Sequence, residues 1–206
     1  MIQLRNVHFS YSKEHSVIDG INYTFLPGHQ YIIQGKNGIG KTTLIKLILG
    51  LLKPTSGSVD LSGNPTFSYL PDNNGIYEFL TVSQNIQFRL GLYDVPFKSK
   101  GPQMESMLKY FGITKYKDTL VNNLSLGTKK KVAIICAVIV DADFLVLDEP
   151  SSGLDSSSLK RLLECLAALS DPQKSLLCIT HEKEWSEHPD FEVLSFDGGR
   201  LTDGDI

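Results

Sequence analysis

The sequence predicts an α/β fold: a mostly parallel sheet, an N-terminal antiparallel β portion and an inserted α-helical portion. Three observations carry this. From Ile2 to Phe25 apolar and polar residues alternate, the period of half-buried antiparallel strands. Short apolar runs then alternate with helix-spaced ones, the pattern of a parallel sheet covered on both faces. Between residues 73 and 123 that alternation stops and helix-spaced apolar residues take over. We therefore expect one domain over residues 1–206, with 1–72 and 124–206 forming the α/β body and 73–123 a helical lobe.

The elements follow in order. Ile2, Leu4, Val7 and Phe9 mark a first strand and Ile21, Tyr23 and Phe25 a second, joined through a polar turn around Ser12-Lys13-Glu14. Pro27-Gly28 marks a turn, and residues 31–34 form a short apolar strand. Leu44, Leu47, Ile48 and Leu51 recur at helical spacing, which predicts a helix over 41–51 that Lys53-Pro54 ends. Residues 58–61 and 67–70 read as strands. In the lobe, 80–86 and 103–111 read as amphipathic helices separated by a Gly- and Pro-containing stretch. The body resumes with a helix from about Thr128, a strand at 144–147, a helix over 159–169, and final strands at 175–179 and 193–196.

Composition bounds the function. With 41% apolar residues the chain is too hydrophobic to be disordered, and 206 residues suffice to bury a core. Lys+Arg 20 against Asp+Glu 23 leaves no basic excess, so no nucleic-acid partner is expected. Cys136, Cys165 and Cys178 lack the paired spacing of a zinc site and read as buried thiols of a reducing compartment. The longest apolar run, 132–140, is too short for a membrane span and stops at Asp141. Met1-Ile-Gln-Leu-Arg5 has no leader pattern, so a cytoplasmic protein is expected.

The strongest motif is Gly35-Lys-Asn-Gly-Ile-Gly-Lys41-Thr42-Thr43, a G-x-x-x-x-G-K-T match between a strand and a helix. Its glycines let backbone N–H groups close around phosphate oxygens, and the helix start adds partial positive charge. Gly35, Asn37, Gly38, Gly40, Lys41, Thr42 and Thr43 thus become nucleotide-site candidates, and the fold a P-loop NTPase. Lys41 suits the β- and γ-phosphates, and the Thr42 hydroxyl suits Mg²⁺. Downstream, Phe144-Leu-Val-Leu-Asp148-Glu149 is an apolar strand ending in carboxylates. Asp148 suits Mg²⁺, and Glu149 lies past the strand end, where a carboxylate can polarise an attacking water. Leu124-Ser-Leu-Gly-Thr128 opens an apolar helix that Ser125 or Thr128 could cap. Lys129, Lys130 and Lys131 follow, three cations in a first turn against the helix dipole, where a docked phosphate would supply negative charge.

Together these segments resemble the ATP-binding-cassette (ABC) ATPases, the nucleotide-binding subunits of ABC transporters, over essentially the whole chain. Residues 35–43 match the family's Walker A motif, 144–149 its Walker B motif, and 124–128 its LSGGQ signature. Ser151-Ser-Gly-Leu-Asp155 matches the D-loop, His181 the switch histidine, and Tyr11 the aromatic that stacks on adenine. The resemblance implies an ATPase that uses ATP and Mg²⁺, with Glu149, His181 and Lys41 catalytic. It implies a homodimer or heterodimer of ABC subunits in which Ser125 and Gly127 of one complete the ATP site of the other and Asp155 bridges between them. It also implies a separate membrane-spanning subunit, docked on the helical lobe near Tyr77-Glu-Phe79-Leu80, with the chain peripheral on the cytoplasmic face of the membrane. Two positions depart from the pattern. Asp72 replaces the glutamine that follows the 67–70 strand; it keeps an oxygen for Mg²⁺ or its water but loses the amide. The signature carries Leu126 for a glycine and Thr128 for its glutamine. The compact lobe and the lack of a C-terminal domain point to an exporter. The alternatives are a soluble ABC ATPase not coupled to a membrane and a weakly hydrolysing nucleotide-dependent regulatory module.

Overall fold

The computed structural model describes residues 1–12, 15–168, 171 and 173–204. β1 (Ile2–Ser12) and β2 (His15–Phe25) run antiparallel, paired from Ile2↔Phe25 to Ser12↔His15 with register shifts between Leu4 and Ser12. Of the turn expected between them, Lys13 and Glu14 lie outside the described residues. β3 (Gln30–Gln34) leads into α1 (Lys41–Ile48), and β4 (Ser56–Leu61) returns to pair with the free side of β1. After β5 (Phe67–Leu70) come α2 (Val82–Gly91), α3 (Phe97–Tyr110) and two short 3₁₀ turns, Thr114–Tyr116 and Val121–Asn123. α4 (Leu126–Val138), β6 (Phe144–Asp148), α5 (Ser156–Ala167), β7 (Ser175–Ile179), α6 (Lys183–Ser186), β8 (Glu192–Asp197) and β9 (Arg200–Asp203) complete the order. Leu169, the end expected for α5, lies outside the described residues.

Two sheets result. One is antiparallel, ordered β2-β1-β4; the other is ordered β5-β6-β7-β3-β8-β9 and is parallel except for the β8–β9 hairpin. Period-two alternation sends the two faces of the parallel sheet into two apolar clusters. Tyr31, Ile33, Phe144, Val146, Leu177 and Ile179 pack with α1 and the antiparallel sheet. Ile32, Leu145, Leu147, Leu176 and Cys178 pack with α4, α5 and the helices of the 73–123 segment. Among the described residues no helix is long and apolar enough to cross a membrane.

The structure departs from the sequence expectations at several boundaries. α1 stops at Ile48 rather than 51, because Gly50 adopts φ 69 and closes a Schellman motif, with Gly50 N–H on Leu47 O and Leu51 N–H on Lys46 O. α3 starts six residues earlier than expected, so Gly101 and Pro102 lie inside it. Buried Met104 and Leu108, with Phe97 packed on the same cluster, override the breaker sequence. α4 starts at Leu126 rather than Thr128. The chain does not end at β8: β9 adds an edge strand whose single buried residue, Leu201, was too little to read as a period. α6 is one turn that buries Trp185.

The register places the site. Ile33, Ile179 and Asp148 sit abreast on β3, β7 and β6. The segments that follow these three strands therefore leave the sheet side by side at its carboxyl edge, where open parallel sheets bind ligands.

Candidate functional site

The loop between β3 and α1 is built from glycine for steric reasons. A Cβ on Gly35 would lie 2.3 Å from the Phe196 carbonyl oxygen, and one on Gly40, at φ 121, would lie 2.6 Å from a Val17 methyl. α2, α4 and α5 each start with a side-chain cap, from Thr81, Ser125 and Asp155. α1 has none, and no acidic residue in its first turn. Its leading N–H groups and positive dipole end are left for an anion.

A cleft of about 400 Å³ opens above this loop, lined by Tyr11, Val17, Asn37, Gly38, Gly40, Lys41, Thr42, Thr43, Asp72, Asp148, Glu149 and Ile179. The Lys41 ammonium donates to the carbonyls of Gly35 at 2.7 Å and Lys36 at 3.0 Å, and burial lowers its pKa. Thr42 Oγ1 donates to Asp148 Oδ2 at 2.8 Å. Asp148 is 2% exposed; desolvation raises its carboxyl pKa and nearby Asp72 adds to the rise, against the Thr42 hydrogen bond. Asp72 is exposed and also lines an adjoining cleft with Thr42, Lys46, Tyr69 and Asp148.

Glu149 departs from ordinary backbone geometry. Its φ is 48, left-handed for a non-glycine residue, and its N–H continues the ladder to Ile179 O at 3.0 Å. Desolvation pushes its carboxyl up to about 7, in spite of the opposing Lys41 charge. His181 Nε2 makes a 2.7 Å hydrogen bond to Asn37 Oδ1 and lies 3.4 Å from the Lys41 ammonium. It also approaches Glu149 Oε1 at 2.9 Å, but without hydrogen-bond alignment, so that buried oxygen has no hydrogen-bond partner. Burial, then the Lys41 charge, lowers the His181 pKa and keeps the ring neutral near pH 7. Tyr11 is 64% exposed, held edge-on to Phe9 and bonded through its hydroxyl to Thr43 Oγ1 at 3.1 Å, which leaves a ring face for a base.

Ser125 and Gly127 do not line this cleft. Ser125 is exposed and caps α4, accepting from Thr128 N–H at 3.4 Å, and Leu126 beside it is 76% exposed. A Cβ on Gly127 would lie 2.9 Å from Gly153 O, so the start of α4 and the 151–155 turn form one surface. The three lysines that follow are not a free basic turn awaiting phosphate. Lys129 pairs with Glu78 at 2.6 Å and Lys131 with Asp155 at 3.8 Å, while Lys130 is buried and donates to two carbonyls. Asp155 also caps α5 through Ser158 N–H and accepts from the Ser157 and Ser158 hydroxyls, so its carboxylate is engaged within its own chain. Sequence reading missed Val17, Ile179 and Lys130. The first two reach the site through strand pairing, and the third lay in a run that read as a docking turn for phosphate rather than as a main-chain tether.

The Mg²⁺ fit rests on the donor set: a hydroxyl and a carboxylate already in contact, with a second carboxylate lining the same cleft, all hard oxygens. Among the described residues no group of three or more His, Cys, Asp or Glu could hold a metal by itself. That suits a cation that completes its shell with phosphate oxygens and water.

Comparison with known proteins identifies the family and the fold. The ABC transporter family matches residues 18–152. The chain is 32% identical over 209 residues to the energy-coupling factor transporter ATP-binding protein EcfA1 of Thermotoga maritima, covering 97% of this chain and 80% of that one. It is 28% identical over 210 residues to the Nod factor export ATP-binding protein I of Cupriavidus metallidurans, covering 97% and 69%. Among solved structures, the dimeric post-hydrolysis state of an ATP-binding cassette bound to ADP and Pi shares the P-loop NTPase fold, with a TM-score of 0.84, 20% identity and 98% of each chain covered. With the family matched over more than half its length and the cleft assembled as the motifs require, the chain belongs to the ABC transporter ATP-binding family and is an ABC-type ATPase.

Proposed function

We propose that this ATPase powers transport by a separate membrane-spanning subunit and works as a pair of cassettes on the cytoplasmic face of the membrane. The observation that carries the pairing is the split of the site. Tyr11, the 35–43 loop, Asp148 and Glu149 meet in one cleft, while Ser125 and Gly127 stand on a different, exposed surface. A second copy, or a sibling cassette, turned head to tail would bring its Ser125 helix start over the phosphates. The relation to a dimeric cassette holding ADP and Pi supports this arrangement.

In the loaded site Lys41 leaves the Gly35 and Lys36 carbonyls for the β- and γ-phosphates, and Tyr11 stacks on the base. Thr42 and Asp148 would hold Mg²⁺, with Asp72 available to it or to its water, and the bound cation would neutralise phosphate charge. Glu149 Oε1, the acceptor without a hydrogen-bond partner, orients the attacking water and takes its proton. Neutral His181 turns its single N–H, on Nε2, from Asn37 Oδ1 to the γ-phosphate.

Export is the direction we assign, supported by the likeness to the Nod factor export protein. The test is recovery of the tagged chain from detergent-solubilised membranes. One polytopic protein should copurify and stimulate ATP hydrolysis, and inverted vesicles carrying the pair should accumulate substrate. Recovery from the soluble fraction alone, with full ATPase activity, would instead assign an ABC ATPase not coupled to a membrane.

A further inference from the structure

We propose that Lys130 is a positioning residue for hydrolysis: from the first turns of α4 it pins the main chain of Glu149, and with it the carboxylate that faces the attacking water. The proposal rests on the reading of Glu149 as general base. Lys130 is 3% exposed, and lysines this buried ordinarily meet a carboxylate. Among the described residues no carboxylate oxygen lies within ion-pair distance of its ammonium. It donates instead to the main-chain carbonyls of Glu149 and Asp72, each at 3.3 Å. Burial works against the ammonium, and the fields of Asp72, Asp148 and Glu149 favour it.

The location explains why such a tether is placed there. Glu149 holds a left-handed φ of 48 and precedes Pro150, which narrows its backbone further. Strained backbone persists only where its surroundings fix it. Two contacts do so from opposite sides: Ile179 O accepts the Glu149 N–H, and Lys130 donates to the Glu149 carbonyl. The second Lys130 bond reaches Asp72, which lines the same cleft as Asp148, so one ammonium ties together the two segments that carry the site's acidic residues. Lys130 also stands five residues beyond Ser125, about 7.5 Å along the same helix.

The test is steady-state ATPase kinetics and thermal melting of the full chain, for Lys130→Met and Lys130→Arg beside Glu149→Gln. Methionine keeps the apolar stem and removes the donor. Its kcat should fall about 10–100-fold, the size of effect seen when the partner that orients a functional ligand is removed. The KM for ATP should move less than about threefold, since ground-state binding does not use Lys130. The melting temperature should change little, because relief of a buried, unpaired ammonium offsets the loss of two hydrogen bonds to main-chain carbonyls. Arginine, which keeps the donors, should recover most of the rate. An unchanged kcat in Lys130→Met while Glu149→Gln is inactive overturns the proposal and leaves Glu149 standing. A kcat lost in step with melting temperature, and restored by cooling, shows a purely structural role and overturns it equally. Full turnover in Glu149→Gln removes the general base itself, and the proposal falls with it.

Discussion

Glu149 shows how one residue concentrates cost where chemistry is done. A left-handed backbone at a non-glycine residue costs about 1–3 kcal/mol, and its buried carboxyl has been pushed from 4.5 up to about 7 by desolvation. A carboxyl whose folded pKa lies above its unfolded value holds its proton more tightly in the folded state. Its contribution to stability is therefore full below about pH 4.5 and is lost as pH rises through about 7. Glutamine is neutral throughout. In chelator, without nucleotide, Glu149→Gln should melt close to wild type near the acid end of this window and progressively higher as pH climbs, levelling off above it. A melting difference that ignores pH would contradict this. With Mg²⁺ and ATP, the same variant should bind nucleotide and lose about 10²–10⁴ in turnover, the range for a positioned base. Glu149 was legible as a candidate reactive carboxylate from its place after an apolar strand. Its strain was not, because the contacts that hold that backbone, from Ile179 and Lys130, come from residues distant in sequence.

At the scale of elements, what local chemistry specifies was readable and what tertiary contact specifies was not. The strand–glycine loop–helix unit around Lys41 and the carboxylate-ended β6 stood out because each is one short stretch with one period. α3 did not, since Gly101-Pro102 reads as a break and only burial of Met104 and Leu108 carries the helix through it. The lysines after Ser125 looked like a turn awaiting a phosphate because their partners, Glu78 and Asp155 among them, are far away in sequence. α2 offers a clean test of the local rules. Thr81 and Gln84 form a capping box: Thr81 Oγ1 accepts the Gln84 N–H at 3.2 Å and Gln84 Oε1 accepts the Thr81 N–H at 2.9 Å. Thr81→Ala should cost about 1 kcal/mol, lowering the melting temperature by about 2–4 °C for a chain of this size. ATPase rates measured well below melting should stay unchanged. A loss of rate without a loss of stability would show that the N-terminus of α2 takes part in turnover.

For the whole molecule, the decisive junction is the one that closes the excursion between β5 and β6, neighbouring strands separated by the helical segment. Asp143, just before β6, accepts the N–H and the hydroxyl of Thr66, just before β5, each at 2.8 Å. Those bonds, led by the backbone one, hold the Asp143 carboxyl below its usual 3.8. A depressed carboxyl stabilises the fold above its unfolded pKa and stops doing so as pH falls through the folded value. Asp143→Asn should therefore melt below wild type at neutral pH, with the gap closing below about pH 3.8; a gap that persists in acid would point to packing rather than charge. The same architecture leaves the Ser125 surface facing away from its own cleft, and the central claim follows from that separation: the phosphates are enclosed only when a second cassette arrives. Light scattering during size-exclusion chromatography of Glu149→Gln, alone and with a co-expressed sibling cassette, tests it most directly. Saturating ATP and Mg²⁺ should convert the monomer to a dimer that reverts when nucleotide is removed. A chain that binds ATP yet stays monomeric in both preparations would contradict the account.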